Sequence, residues 1–327
     1  MSTAPDPEPI AQPSAEMPVL VEMTRNGLVE GRHRGSVIAV DPNGDPVLRL
    51  GVVDQLMYPR SANKPAQAAA MVGMGLPLDG ELLALACASH SGEPFHLDGA
   101  RRILAEAGLD ESALQNTPRW PLQGGVTRDY VRAGGVASSL SADCSGKHAA
   151  MLLTCAVNGW SQANYLEHSH PLQQGIRATI ARLAGESVQH EAVDGCGAPL
   201  HALTLTGLVR LFRAVATATP DSPEGKVASA MTDHPEWVSG STRDEARLLR
   251  ELPGAVGKSG AEAVYAVALP DGRAVACKID DGGSRASPIV LARALGLLGV
   301  DPQVLQTRER TPVLGGGDRV GELRAVF

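Results

Sequence analysis

The chain has 327 residues, 43% of them hydrophobic and 20% charged, with few aromatics at 3% and a formal net charge of −7. That length holds one large domain or two ordinary ones and needs no disulfides to fold. The acidic balance and the lack of any basic run argue against nucleic acid or an anionic membrane as partner; apolar runs such as "ELLALACA" are too short to span a bilayer.

The first residues, "MSTAPDPEPIAQPSAEMP", lack the basic and apolar regions of a signal peptide and are rich in Pro, Ser and acids. Residues 1–18 are therefore expected to form a disordered tail on a cytoplasmic protein. Alternating apolar residues around "RNG" and "DPNGDP" then predict two or three antiparallel strands across 19–50. Helical spacing follows after Pro65, in "DGELLALACASHSGEP", and in "HLDGARRILAEAGL". Residues 110–143 read mainly as irregular loop. Helices are predicted at about 147–158, 164–184, 198–218 and 223–233, with a short one after "SGSTRDEARLL". The end of the chain reads as a hairpin, "EAVYAVALPDGRAVACKID", and a closing helix, "SPIVLARALGLLG".

Strands at both ends with helices between them predict an α+β fold. One sheet is built from the N- and C-terminal strands, and a helical layer lies between them in sequence. A single domain over 19–327 is expected, with a helical subdomain at about 65–250.

Three stretches suggest nucleophilic serine chemistry. "RSANK" spaces Ser61 and Lys64 as S-x-x-K, which on a helix puts hydroxyl and amine on one face. A serine needs a neighbouring base to become a nucleophile, and a lysine serves when it is neutral. By itself the spacing describes a helix cap and a solvated lysine equally well. "SHSGEPFH" places Ser89 and Glu93 in a tight polar turn directly after an apolar helix. "GKSGAEAVYAV" puts Lys258 and Ser259 just before a strand. An S-x-x-K, a middle serine and a K-S/T-G in this order follow the plan of serine acyl-transferases.

Of five cysteines, Cys87, Cys155 and Cys277 lie in apolar patterns and read as small buried hydrophobes. Cys144 in "CSGKHAAM" and Cys196 in "DGCGAP" sit among glycines and polar groups. Two thiolates make an incomplete zinc site, and the third ligand is either His148 or Lys147 as a neutral amine. Asp194 is placed to accept a hydrogen bond at such a site.

Together, "PRSANKPAQA", "SHSGEP", "CSGKHA", "DGCGAP" and "GKSGAE" resemble the Rhizobium etli type of L-asparaginase, the asparaginase II family of serine-β-lactamase-like fold. The resemblance covers nearly everything after residue 18. It implies hydrolysis of L-asparagine to L-aspartate and ammonia by two Ser–Lys pairs, Ser61 with Lys64 and Ser89 with Lys258. It further implies zinc on Cys144, Lys147 and Cys196, serving substrate binding more than water activation, and a homodimer. Ala150 and Ala263 stand where the family is expected to carry glycine, which leaves selectivity between asparagine and glutamine open.

For the substrate's charged ends, Arg60 beside the nucleophile is the first choice for the α-carboxylate, being able to bind bidentately. Asp194, Glu93 and His148 are further pocket candidates, and Arg243 and Asp244 either contribute or simply begin a helix. Two other readings compete: another serine acyl-enzyme of the same fold, and a non-enzymatic zinc-binding regulatory module.

Overall fold

The structure, a computed structural model describing residues 17–327, begins with strands β1 (Val19–Arg25), β2 (Leu28–Val40) and β3 (Pro46–Leu50). Residues 1–16 of the expected tail lie outside the described residues. Helices α1 (Lys64–Gly73), α2 (Gly80–Ala86), α3 (Pro94–Glu106), α4 (Gly124–Arg132), α5 (Ser145–Asn158) and α6 (Pro171–Ala184) follow. A small hairpin, β4 (Glu191–Val193) and β5 (Pro199–His201), precedes α7 (Leu205–Ala216), α8 (Pro223–Asp233), α9 (Pro235–Val238) and α10 (Asp244–Glu251). The chain then returns to strands β6 (Val256–Gly260), β7 (Val264–Ala268) and β8 (Ala274–Ile279), and to helices α11 (Ser287–Leu297) and α12 (Pro302–Leu305). Strands β9 (Arg310–Gly315) and β10 (Asp318–Ala325) end it.

The main sheet is antiparallel in the order β6-β7-β8-β2-β1-β10-β9, with β3 paired to β2. N- and C-terminal strands thus interleave as the sequence predicts. Strand β2 changes neighbour midway, pairing with β1 up to Arg34 and with β8 from Gly35. The crossing needs a glycine, because a Cβ on Gly35 would stand 2.3 Å from Lys278 O.

Alternation along the strands separates two cores. Ile38, Val264, Ala266 and Ala276 face the helical layer, while Val37, Tyr265, Val267 and Cys277 face α10 and α11. Buried on both sides, β7 and β8 are almost wholly apolar. Helix α7 covers the first face with Leu205, Leu208, Val209, Phe212 and Val215 at helical spacing. Each contributes on the order of 2 kcal/mol by burial, as an upper value. Helix α1 is buried from Lys64 to Met71, and its alanines are what allow neighbours to approach it from several sides.

Five expectations need correcting. Residues 124–132 form a helix where loop is predicted, with none of its residues fully buried and Tyr130 packed against the core; its two leading glycines hide it. The helix expected from 164 starts at Pro171, where the His170 ring accepts from Leu172 N. The segment expected to be helical from 198 begins as β5, and its helix starts after Thr204, whose hydroxyl accepts from Gly207 N. The short helix begins within "SGSTRDEARLL", at Asp244, and not after it, and the chain closes on β9 and β10, not on a helix.

Candidate active site

The nucleophile candidate sits in a short 3-10 turn, Arg60–Asn63, that leads directly into α1. Ala62 N donates to Pro59 O, and Arg60 adopts a left-handed φ of 52°. A bulky residue holds that conformation only when its surroundings demand it. Edge strand β6 makes the demand: a Cβ on Gly260 would meet Pro59 O at 2.4 Å and Ala62 N at 3.1 Å. The glycine of "GKSG" therefore lets the sheet edge close on the serine turn. Ser61 Oγ has no hydrogen-bond partner in the protein among the described residues.

Lys64, 2% exposed, donates from Nζ to Ala88 O at 2.5 Å and to Ser89 Oγ at 2.9 Å, with Asp143 Oδ2 3.9 Å away. The expected pairing of Ser89 with Lys258 is not what the structure holds. Lys258 is fully buried and donates to Glu245 Oε1 at 2.7 Å and to Ser259 O at 2.9 Å. Burial lowers the Lys258 amine from its ordinary value, against the pull of Glu245. Burial also pushes the Glu245 carboxyl up, but the Lys258 and Arg243 charges more than offset it and leave it below the usual range.

Ser61, Lys64 and Ser89 line one cavity of about 340 Å³ together with Arg60, Arg119, Asp143, Cys144, Asp194, Cys196 and Arg243. Arg60 is already committed, its Nε 2.6 Å from Asp194 Oδ1. Glu93 does not line the cavity. Its carboxylate accepts from Ser91 Oγ and from the N–H and hydroxyl of Ser241, which fixes the 239–241 loop. His90 of the same turn meets Ser145 Oγ at 2.9 Å, tying "SHSGEP" to the start of α5.

At that start, Cys144, His148 and Cys196 present ligand atoms all within 4.8 Å of one another. Lys147 Nζ donates to Cys196 Sγ at 3.2 Å, and Asp194 Oδ2 lies 3.6 Å from the same sulfur. The Cys144 hydrogen bond draws the Cys196 thiol far down and pushes Cys144 up, so the pair holds one thiolate. Burial pulls the Lys147 amine down, yet the adjoining Cys196 charge outweighs it and leaves the amine raised. Burial holds His148 neutral, at about 4. Its Nδ1 meets Tyr165 Oη at 2.9 Å, while Nε2 is buried without a partner among the described residues. An orphaned imidazole nitrogen beside two sulfurs, all buried, is a donor set suited to zinc. His148 belongs to this cluster and not to the cavity wall.

Sequence reasoning missed Asp143, Arg119, Ser284 and Glu245. The first adjoins "CSGKH" and was within reach; Arg119 and Ser284 sit in loops without periodicity, and Glu245 looks like any solvated helix acid.

The chain matches the sequence profile of the L-asparaginase II family over residues 21–325. It belongs to that family. As a member it is an amidohydrolase of the L-asparaginase type. Comparison with curated proteins gives no match. Among solved structures, a β-lactamase from Mycobacterium bovis is 15% identical, with 81% of this chain and 94% of that chain covered and a TM-score of 0.46. A β-lactamase from Burkholderia vietnamiensis is 16% identical, covering 82% and 92%, with a TM-score of 0.36. The topology of the sheet, and not these distant likenesses, carries the description of the fold. Among the described residues no helix is long and apolar enough to cross a membrane.

Proposed function

We propose that Ser61 is the nucleophile of an acyl-enzyme mechanism for L-asparagine hydrolysis, served by Lys64 and Ser89. The observation that supports it is one amine, Lys64 Nζ, bonded to Ser89 while both serine hydroxyls line the same cavity. Ser61 Oγ attacks the side-chain amide carbon, and its proton passes to Lys64. Ser89 relays a proton from Lys64 to the departing nitrogen, the C–N bond breaks and ammonia leaves. Backbone N–H groups of the serine turn stabilise the oxyanion. Water then attacks the ester carbon, L-aspartate departs and Ser61 regains its proton. Lys258 acts at one remove: its ion pair with Glu245 also takes Ser259 N and so fixes the strand that abuts the turn.

Cys144 and Cys196, completed by His148 or Lys147, would hold zinc, which when bound supplies an electrophilic anchor for a polar group of the substrate. The free state of all five cysteines suits a cytoplasmic location. For a homodimer, the exposed apolar side chains Trp120, Leu122, Val131 and Val136, of which Leu122 lines the cavity, offer a surface; light scattering at twice 34.0 kDa tests it.

The deciding assay is ammonia release from L-asparagine and L-glutamine by the wild type and Ser61→Ala, with zinc content measured on both. Turnover of asparagine that vanishes in the variant supports the mechanism. A folded, zinc-loaded wild type without turnover on either amide overturns it.

A further inference from the structure

The cavity holding Ser61 and Ser89 shares Arg243, Ser259, Gly260 and Ser284 with a smaller recess of about 110 Å³ that Asp244 and Tyr265 also line. An α-amino acid needs a cation there for its carboxylate, and four cationic side chains reach the main cavity. Arg60 is neutralised by Asp194 at 2.6 Å. Lys64 is held by Ala88 and Ser89 at the reaction centre. Arg119 is exposed, and the one hydrogen bond of its guanidinium among the described residues is a 3.5 Å contact to Gly195 O.

Arg243 differs from all three. It is half-buried and uses Nη2 alone, 3.2 Å from Glu245 Oε2. That carboxylate is already shared with Lys258 at 2.7 Å, so one acid faces two cations and positive charge is left over at the cavity wall. The adjacent acid is itself outnumbered, since Asp244 Oδ1 faces Arg308 at 2.9 Å and Arg247 at 3.3 Å, while its Oδ2 is buried without a hydrogen-bond partner among the described residues. Beside Arg243, the hydroxyls of Ser259 and Ser284 have no hydrogen-bond partner in the protein among the described residues. Tyr265, 2% exposed, brings a hydroxyl to the recess that is likewise buried and unpartnered. A free guanidinium edge flanked by unpaired hydroxyls has the chemistry of a carboxylate subsite.

We infer that Arg243, with Ser259 and Ser284, binds the α-carboxylate of the amino-acid substrate, in place of Arg60. The inference rests on the amidohydrolase reading of the same cavity. Its test is calorimetric binding of L-aspartate and of β-alanine, which lacks the α-carboxylate, to the full chain carrying Ser61→Ala. Adding Arg243→Ala should weaken L-aspartate by on the order of 10- to 100-fold and leave β-alanine within about twofold. Arg243→Lys keeps a charge against Glu245, so it stays informative if the alanine variant fails to fold; it should lose about fivefold or more because a lysine cannot bind bidentately. L-aspartate binding unchanged in Arg243→Lys, absent from the parent, or lost in Arg119→Ala overturns the assignment. Arg243-dependent binding of L-aspartate in a chain whose wild type releases no ammonia would sink the reaction and keep the subsite.

Discussion

Lys64 Nζ donates to the hydroxyl of Ser89, 2.9 Å away and 25 residues on in sequence, and makes no hydrogen bond to Ser61, three residues before it. Helical spacing alone favours the nearer serine. The 3-10 turn and the left-handed Arg60 rotate Ser61 towards the open cavity, and the end of α2 brings Ser89 to the amine.

Ser61→Ala should therefore lower kcat by on the order of 10³-fold or more and abolish any covalent adduct, because no other group replaces the attacking oxygen. Ser89→Ala should lower kcat by roughly 10²-fold while the adduct still forms, since it removes only a proton relay. Intact-mass spectrometry after rapid quenching separates the two. An adduct on Ser61→Ala would make Ser89 the nucleophile.

The buried ion pair of Glu245 and Lys258 should shape stability against pH. The Glu245 carboxyl lies below its ordinary 4.5 in the folded protein, so between those values the unfolded chain binds more protons than the native one. Its contribution is then complete above pH 4.5 and lost as pH falls through the folded value. Urea unfolding from pH 7 down to 3 should show this loss in the wild type and a flatter profile in Glu245→Gln. That variant strands a buried lysine and should cost about 3–5 kcal/mol near neutrality.

Zinc removal by a chelator, or Cys196→Ala, should raise KM for L-asparagine more than it lowers kcat, by about 10- to 100-fold. Metal content on Lys147→Ala and His148→Ala identifies the third ligand, since only the true ligand's loss should empty the site. An unchanged KM in zinc-free protein would make the metal structural.

The turn between β6 and β7 carries its own test. Glu262 and Ala263 both take left-handed φ values, 58° and 54°. Ala263→Gly, the residue expected in the family, should relieve about 1 kcal/mol of strain and raise the melting temperature. Gly260→Ala should do the opposite, because its Cβ would displace the serine turn from 2.4 Å contact with Pro59 O. A loss of about 1–3 kcal/mol with a fall in kcat is expected, and a variant as active and stable as wild type would show that the contact matters little.

Local pattern alone determined which residues are proposed to carry the chemistry. "RSANK", "SHSGEP", "CSGKHA", "DGCGAP" and "GKSGAE" each need particular side chains on short stretches, and all five bring at least one residue to the cavity wall. The N-terminal strands, the β7–β8 hairpin and most helices were legible from local apolar patterning and turn residues along the chain, whereas β9 and β10 were not. Tertiary structure decided the partners. Whether Lys64 serves Ser61 or Ser89, whether Lys258 meets a serine or Glu245, and whether Arg60 is free or bound to Asp194 all depend on contacts between residues far apart in sequence. Such contacts leave no periodic trace, because burial and charge are balanced only once β6, the β4–β5 hairpin and α10 have closed around the serine turn.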